Sequence, residues 1–125
     1  MDVFNDNLIR LIKNLAKIVP DSVIGTNLDN LLKLLEMSQT KVINGFIKYI
    51  LPHKVHIHNE NVDFFMKFDI EPVFGSDYWT MIIINEIIKT WKILNAKNKQ
   101  MVFLYLKGLL SIAENYDIDN KTKTI

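Results

Sequence analysis

A chain of 125 residues, 49% hydrophobic and 23% charged, can bury one core, so it is neither a disordered segment nor a domain that depends on metal or disulfide staples. Fifteen basic and fourteen acidic side chains leave a net charge of +1, which excludes a strongly basic polyanion binder. With no cysteine, thiol catalysis, disulfides and thiolate metal sites are excluded, and the chain suits a reducing compartment.

The first segment places Phe4, Leu8, Leu11, Ile12, Leu15 and Ile18 or Val19 at three- and four-residue spacings, which predicts an amphipathic helix stopped before Pro20. Met1-Asp2-Val3-Phe4-Asn5-Asp6 lacks the basic stretch and apolar run of a secretory signal, so the protein is not expected to be secreted. Asp21, Ser22 and Gly25 read as a turn, and Thr26 or Asn27 as the cap of a second helix carrying Leu28, Leu31, Leu32 and Leu35. A third helix is predicted over 40–50, with Val42, Ile43, Phe46, Ile47, Ile50 and Leu51 inward; Pro52 either ends it or opens the following one. Gly45 weakens it by about 1 kcal/mol relative to alanine unless another helix packs there.

Residues 53–59 alternate Val55 and Ile57 with His and Lys and read as an extended link or frayed helix, since no partner strand is evident. Asn59 is the expected cap of a helix carrying Val62, Phe65, Met66 and Phe68. Residues 69–76 have loop composition, and Ser76 or Asp77 is expected to cap a long helix over 78–94. That helix is the most apolar stretch, yet it holds Asn85, Glu86, Lys89 and Lys92, each charge costing about 2.5–3.5 kcal/mol near a bilayer centre. It is therefore expected in the core and not in a membrane, although Met81-Ile82-Ile83-Ile84 has high β propensity. A last helix over 97–116 is apolar on nearly every side from Met101 to Leu106, so it is buried in the monomer or shared with a second copy.

His53, His56 and His58 are all the histidines, with Glu60 and Asp63 just beyond. A His-x-His pair on extended backbone can hold zinc or nickel, but no cysteine or distant histidine completes the set, so solvated linker side chains are the expectation and no metal is assigned. A contact that responds to imidazole protonation is a further reading of the same cluster. Glu60, Asp63, Asp69, Glu71 and Asp77 form an acidic middle, read as caps and solvated turns because a general acid needs a buried carboxyl. Lys89, Lys92, Lys97, Lys99 and Lys107 form a basic counterpart that could meet phosphates or an acidic partner; Arg10 is the only arginine, which argues against base-edge recognition. Tyr78, Trp79, Trp91, Phe103 and Tyr105 have the spacing of core aromatics more than of a stacking platform. Phosphate loops, nucleophile elbows and His-Glu-x-x-His are missing, so no enzyme, catalytic residue or cofactor is expected.

Tyr49-Ile50-Leu51-Pro52-His53-Lys54 with Phe64-Phe65, and Trp91-Lys92-Ile93-Leu94 followed by Asn98-Lys99 and Tyr105-Leu106-Lys107-Gly108-Leu109, together resemble a set of small, uncharacterised helical proteins of large nucleocytoplasmic DNA viruses. The likeness covers about residues 46 to 113; the first forty residues lie outside it, and the histidine-rich link departs from the charged stretch of the pattern. The resemblance implies a giant-virus origin, and with it a place in the host cytoplasm at the viral factory or in the virion. It carries no activity and no site. The excess of Ile, Asn and Lys (18, 13 and 14 residues), which have AT-rich codons, is a mark of genome composition before it is one of chemistry.

The expectation is thus an all-α bundle of five or six helices over 1–116, with a central antiparallel C-terminal helix hairpin and a polar tail over 117–125. A non-catalytic assembly or scaffold role follows, with self-association as a two-fold dimer through Met101, Leu104, Tyr105 and Gly108. The alternative is a nucleic-acid-associated factor using the Lys89 to Lys107 face. Another viral or host protein is a further partner to expect.

Overall fold

The computed structural model describes residues 2–37, 40–68 and 78–123. Among them there is no strand, and the domain is all-α. The described residues form eight α-helical segments, α1 (Asp2–Ile18), α2 (Val23–Thr26), α3 (Leu28–Met37), α4 (Lys41–Tyr49), α5 (Lys54–His58), α6 (Val62–Lys67), α7 (Tyr78–Lys92) and α8 (Ala96–Lys123), with a 3-10 turn at Leu51–His53. This is more than the five or six expected. The surplus is α2 and α5, single turns whose backbone coils where composition reads as turn and link.

The apolar spacing of α1 converts directly into burial: Phe4, Leu8, Leu11, Ile12 and Leu15 are all enclosed. After Pro20 the chain folds back so tightly that a Cβ on Gly25 would lie 2.3 Å from the Pro20 carbonyl oxygen, so only glycine fits. Ser22 caps α2, its hydroxyl accepting the Gly25 N–H at 3.1 Å. Thr26 and Asn27, expected to cap α3, turn backwards instead: both side chains donate to the Val23 carbonyl of α2.

In α7 the Met-Ile-Ile-Ile run is helical despite its β propensity, because tertiary burial on almost every side decides the matter. Met81, Ile83, Ile84, Ile87, Ile88 and Trp91 are buried, and so are Thr80, Asn85 and Thr90; of the side chains described on α7 only Lys89 is exposed. Thr90 returns its hydroxyl to the Glu86 carbonyl at 2.7 Å, which removes the cost of burying it. Phe65, Trp91 and Phe103 meet as a triad with centroid separations of 4.9 to 5.7 Å.

Helix α8 buries Val102, Phe103, Leu106, Leu109, Leu110 and Ala113 on one stripe, and its broadest contact is with α1, followed by α4. The helix does not stop at 116: it runs to Lys123, with an Asp117 to Lys121 ion pair of 3.0 Å one turn apart on its last stretch. Ser76, Asp77 and the 69–76 loop lie outside the described residues, as does the side chain of Trp79.

Candidate functional site

Of the two readings of the histidine-rich stretch, extended link or frayed helix, the structure has the helical one. Pro52 presets the 3-10 turn, α5 follows, and Ile57 is buried as its anchor. The α5 C-terminus closes as a Schellman motif: Asn61 N–H donates to the His56 carbonyl at 2.9 Å and Glu60 N–H to the Ile57 carbonyl at 3.0 Å. The residue left in the left-handed region is Glu60, with φ 52°, where glycine is usual. Asn59, the expected cap of α6, is the C-cap of α5; Asn61 caps α6 in its place, its Oδ1 accepting the Phe64 N–H at 3.1 Å.

The other half of the Asn61 amide faces His56, Nδ2 to Nδ1, at 3.1 Å. With Oδ1 on the Phe64 N–H, it is Nδ2 that faces His56, a contact that suits the imidazole tautomer with Nδ1 bare and the proton on Nε2. The His56 ring lies flat on Phe64, 4.5 Å away and 6° from parallel, and His53 packs on the same phenyl at 5.0 Å and edge-on to Phe68 at 6.0 Å. With Tyr49, Asn61, Asp63 and Lys67 these rings line an open cleft of about 550 Å³. His58 is exposed on the far side of the buried Ile57 and takes no part. Among the described residues no three His, Asp or Glu side chains converge closely enough to hold a metal ion.

Two ion pairs tie this region to α8: Lys107 to Glu60 at 2.7 Å and Lys54 to Glu114 at 2.8 Å. The hydrogen bond from Lys107, with its charge, holds the Glu60 carboxyl below the ordinary carboxylate range. Both pairs join residues dozens of positions apart, so no local spacing announces them.

The five lysines of the basic counterpart are accordingly not one free surface. Lys107 is engaged by Glu60, Lys89 reaches Glu86 at 3.5 Å, and Lys99 lies over the Trp91 ring at 4.7 Å from its centroid. Lys92 is half-buried and Lys97 is exposed. Of the aromatic set, Trp91 and Phe103 are core, Tyr78 is half-buried, and the Tyr105 hydroxyl accepts from Asn14 Nδ2 at 3.0 Å, joining α8 to α1. Asp63 stands on the cleft rim; Asp69, Glu71 and Asp77 lie outside the described residues.

Most of the apolar run on α8 is covered by the monomer. Met101 and Tyr105 are half-buried, while Leu104 stays out, 61% exposed, as does Ile118 near the far end of the helix, 53% exposed. Leu104, Tyr105 and Gly108 line a shallow groove with Asn7 of α1, and nothing lies within 4 Å of where a Gly108 Cβ would stand. Val3, one turn before Asn7 on α1, accepts from its Nδ2 through the backbone carbonyl at 2.8 Å and is itself 60% exposed. No helix among the described residues is long and apolar enough to cross a membrane. Comparison of the chain with protein-family models, with curated proteins and with solved structures finds no match.

Proposed function

We propose that this protein is a non-catalytic helical assembly or scaffold protein of a large DNA virus, working at the viral factory or in the virion through contacts between helix faces. In this reading α7 and α8 act as the central antiparallel hairpin, and the α8 surface around Leu104 and Gly108, bordered by Asn7 of α1, meets the same surface of a second copy as a two-fold dimer. The single observation that carries the reading is the exposed Leu104 beside the open Gly108 position, a large apolar side chain next to a place where another helix can approach closely. The viral assignment rests on the resemblance of residues 46 to 113.

Sedimentation velocity from low to high micromolar concentration tests it. A dimer that Leu104→Glu dissociates is expected; a monomer throughout the range overturns the assembly reading. DNA and RNA titrations at low and physiological salt belong beside it, since salt-sensitive binding by a monomer would favour the lysine face instead.

A further inference from the structure

We propose that His56, Asn61 and Phe64 form an acid-sensitive catch that holds the first turn of α6 against the domain and loosens it when His56 is protonated. The argument starts from the amide of Asn61, which serves two partners at once. Its oxygen accepts the Phe64 N–H and so closes the N-terminus of α6, while its nitrogen donates to His56 Nδ1. This works only while Nδ1 is bare. An imidazolium carries protons on both nitrogens, so Asn61 Nδ2 then faces a donor. Rotating the amide to offer its oxygen to His56 leaves the Phe64 N–H facing an NH₂ group and uncaps α6. Swinging the imidazolium out to water takes it off the Phe64 ring, against which it lies at 4.5 Å. Each escape gives up one of the contacts that dock the helix.

Phe65 anchors the middle of α6, while Val62, Asp63, Met66 and Lys67 are exposed, so its first turn rests on the Asn61 cap and on Phe64. The helix has six residues, and its one deeply buried side chain is Phe65, wedged against Trp91 and Phe103. Beneath it lies an apolar void of about 20 Å³ bordered by Phe46, Ile57, Phe64, Phe65, Phe68 and Leu106 among others, so loosening α6 opens a hydrophobic surface. The charged and titratable groups facing His56 do not restore the catch. His53 on the 3-10 turn, Tyr49 on α4, and Asp63 and Lys67 on α6 share its cleft, and α8 reaches this region through Lys107 on Glu60 and Glu114 on Lys54. Asp63 can attract an imidazolium but cannot return an acceptor to Asn61, and a protonated His53 on the same phenyl ring adds repulsion.

The test uses the whole chain labelled with ¹⁵N. Long-range ring spectra at about pH 8 are expected to show the Nε2–H tautomer of His56. Between about pH 8 and about pH 5, exchange of the Phe64 amide, corrected for its intrinsic rate, is expected to speed up roughly tenfold as binding of a hydrophobic dye rises. His56→Gln is expected to flatten the response and His53→Gln to keep it. Asn61→Asp is expected to reverse its sign, since a carboxylate accepts from both Phe64 N–H and a protonated Nδ1. A proton on Nδ1 at the higher pH, unchanged Phe64 protection in the wild-type chain, or a response that survives in His56→Gln overturns the proposal.

Discussion

Gly45 of α4 and Thr80 of α7 touch so closely that the two helices could not cross where they do with any side chain at position 45. A Cβ built on Gly45 would stand 2.3 Å from Thr80 Cγ2 and 3.0 Å from its Cβ. Thr80 is itself buried and β-branched, so it has little freedom to turn away. The helix-weakening glycine is therefore the residue that lets α4 approach α7.

Gly45→Ala is thus expected to destabilise the domain although alanine favours a helix by about 1 kcal/mol. Overpacking costs typically 1–3 kcal/mol, and a methyl meeting the buried Thr80 at 2.3 Å belongs at the upper end of that range, so a net loss of up to about 2 kcal/mol is expected in urea melts. Thr80→Ser removes the offending methyl and should recover part of that loss in the double variant. A Gly45→Ala protein as stable as wild type would show that the helices separate freely.

What was legible in the sequence follows from the length of the element. Helix α1 has six apolar positions over five turns, and its period survives any local accident. In α5, Lys-Val-His-Ile-His spans little more than one turn, and over so short a stretch alternation and helix cannot be told apart. The Schellman turn was hidden by its own residue, since Glu60 occupies a position where glycine is the usual signal. Without that boundary, the sequence places the α6 cap at Asn59, two residues before Asn61. The Lys107 pair is illegible for a different reason: Glu60 and Lys107 lie 47 residues apart, and only the packing of α5 on α8 brings them together.

That ion pair has a pH signature. The Glu60 carboxyl, held below its ordinary value of 4.5 by Lys107, binds its proton less readily folded than unfolded. Its contribution is therefore full above about pH 4.5 and is lost as pH falls through the lower folded value. Lys107→Met is expected to flatten the acid limb of a stability-against-pH curve below about pH 4.5. Glu60→Gly should be more stable than Glu60→Ala, since glycine adopts the φ of 52° without strain while both lose the carboxylate. Equal acid limbs in wild type and Lys107→Met would remove the pair from the account.

Phe65 and Met66 are neighbours with opposite fates. Phe65 is 1% exposed between Trp91 and Phe103, while Met66 points to water. Phe65→Ala is expected to cost about 3–5 kcal/mol, the range for emptying an aromatic site in a core. Met66→Ala should stay within about 0.5 kcal/mol of wild type. Chemical denaturation of the two single variants decides it, and similar losses would mean that α6 is docked by something other than the aromatic triad.

Leu104 separates assembly from folding, because a side chain in water contributes little to the monomer. Leu104→Ser is expected to change the unfolding free energy of dilute protein by less than about 0.5 kcal/mol. At high concentration the same change should raise the dissociation constant by tenfold or more, as loss of a central apolar anchor typically costs over 1 kcal/mol of binding. Leu106→Ser, two residues on and buried, is expected to do the reverse, weakening the fold by about 2–5 kcal/mol through a cavity lined by apolar groups. If Leu104→Ser lowers stability in dilute solution as much as Leu106→Ser, position 104 is part of the core, and the face assigned to a second copy does not exist.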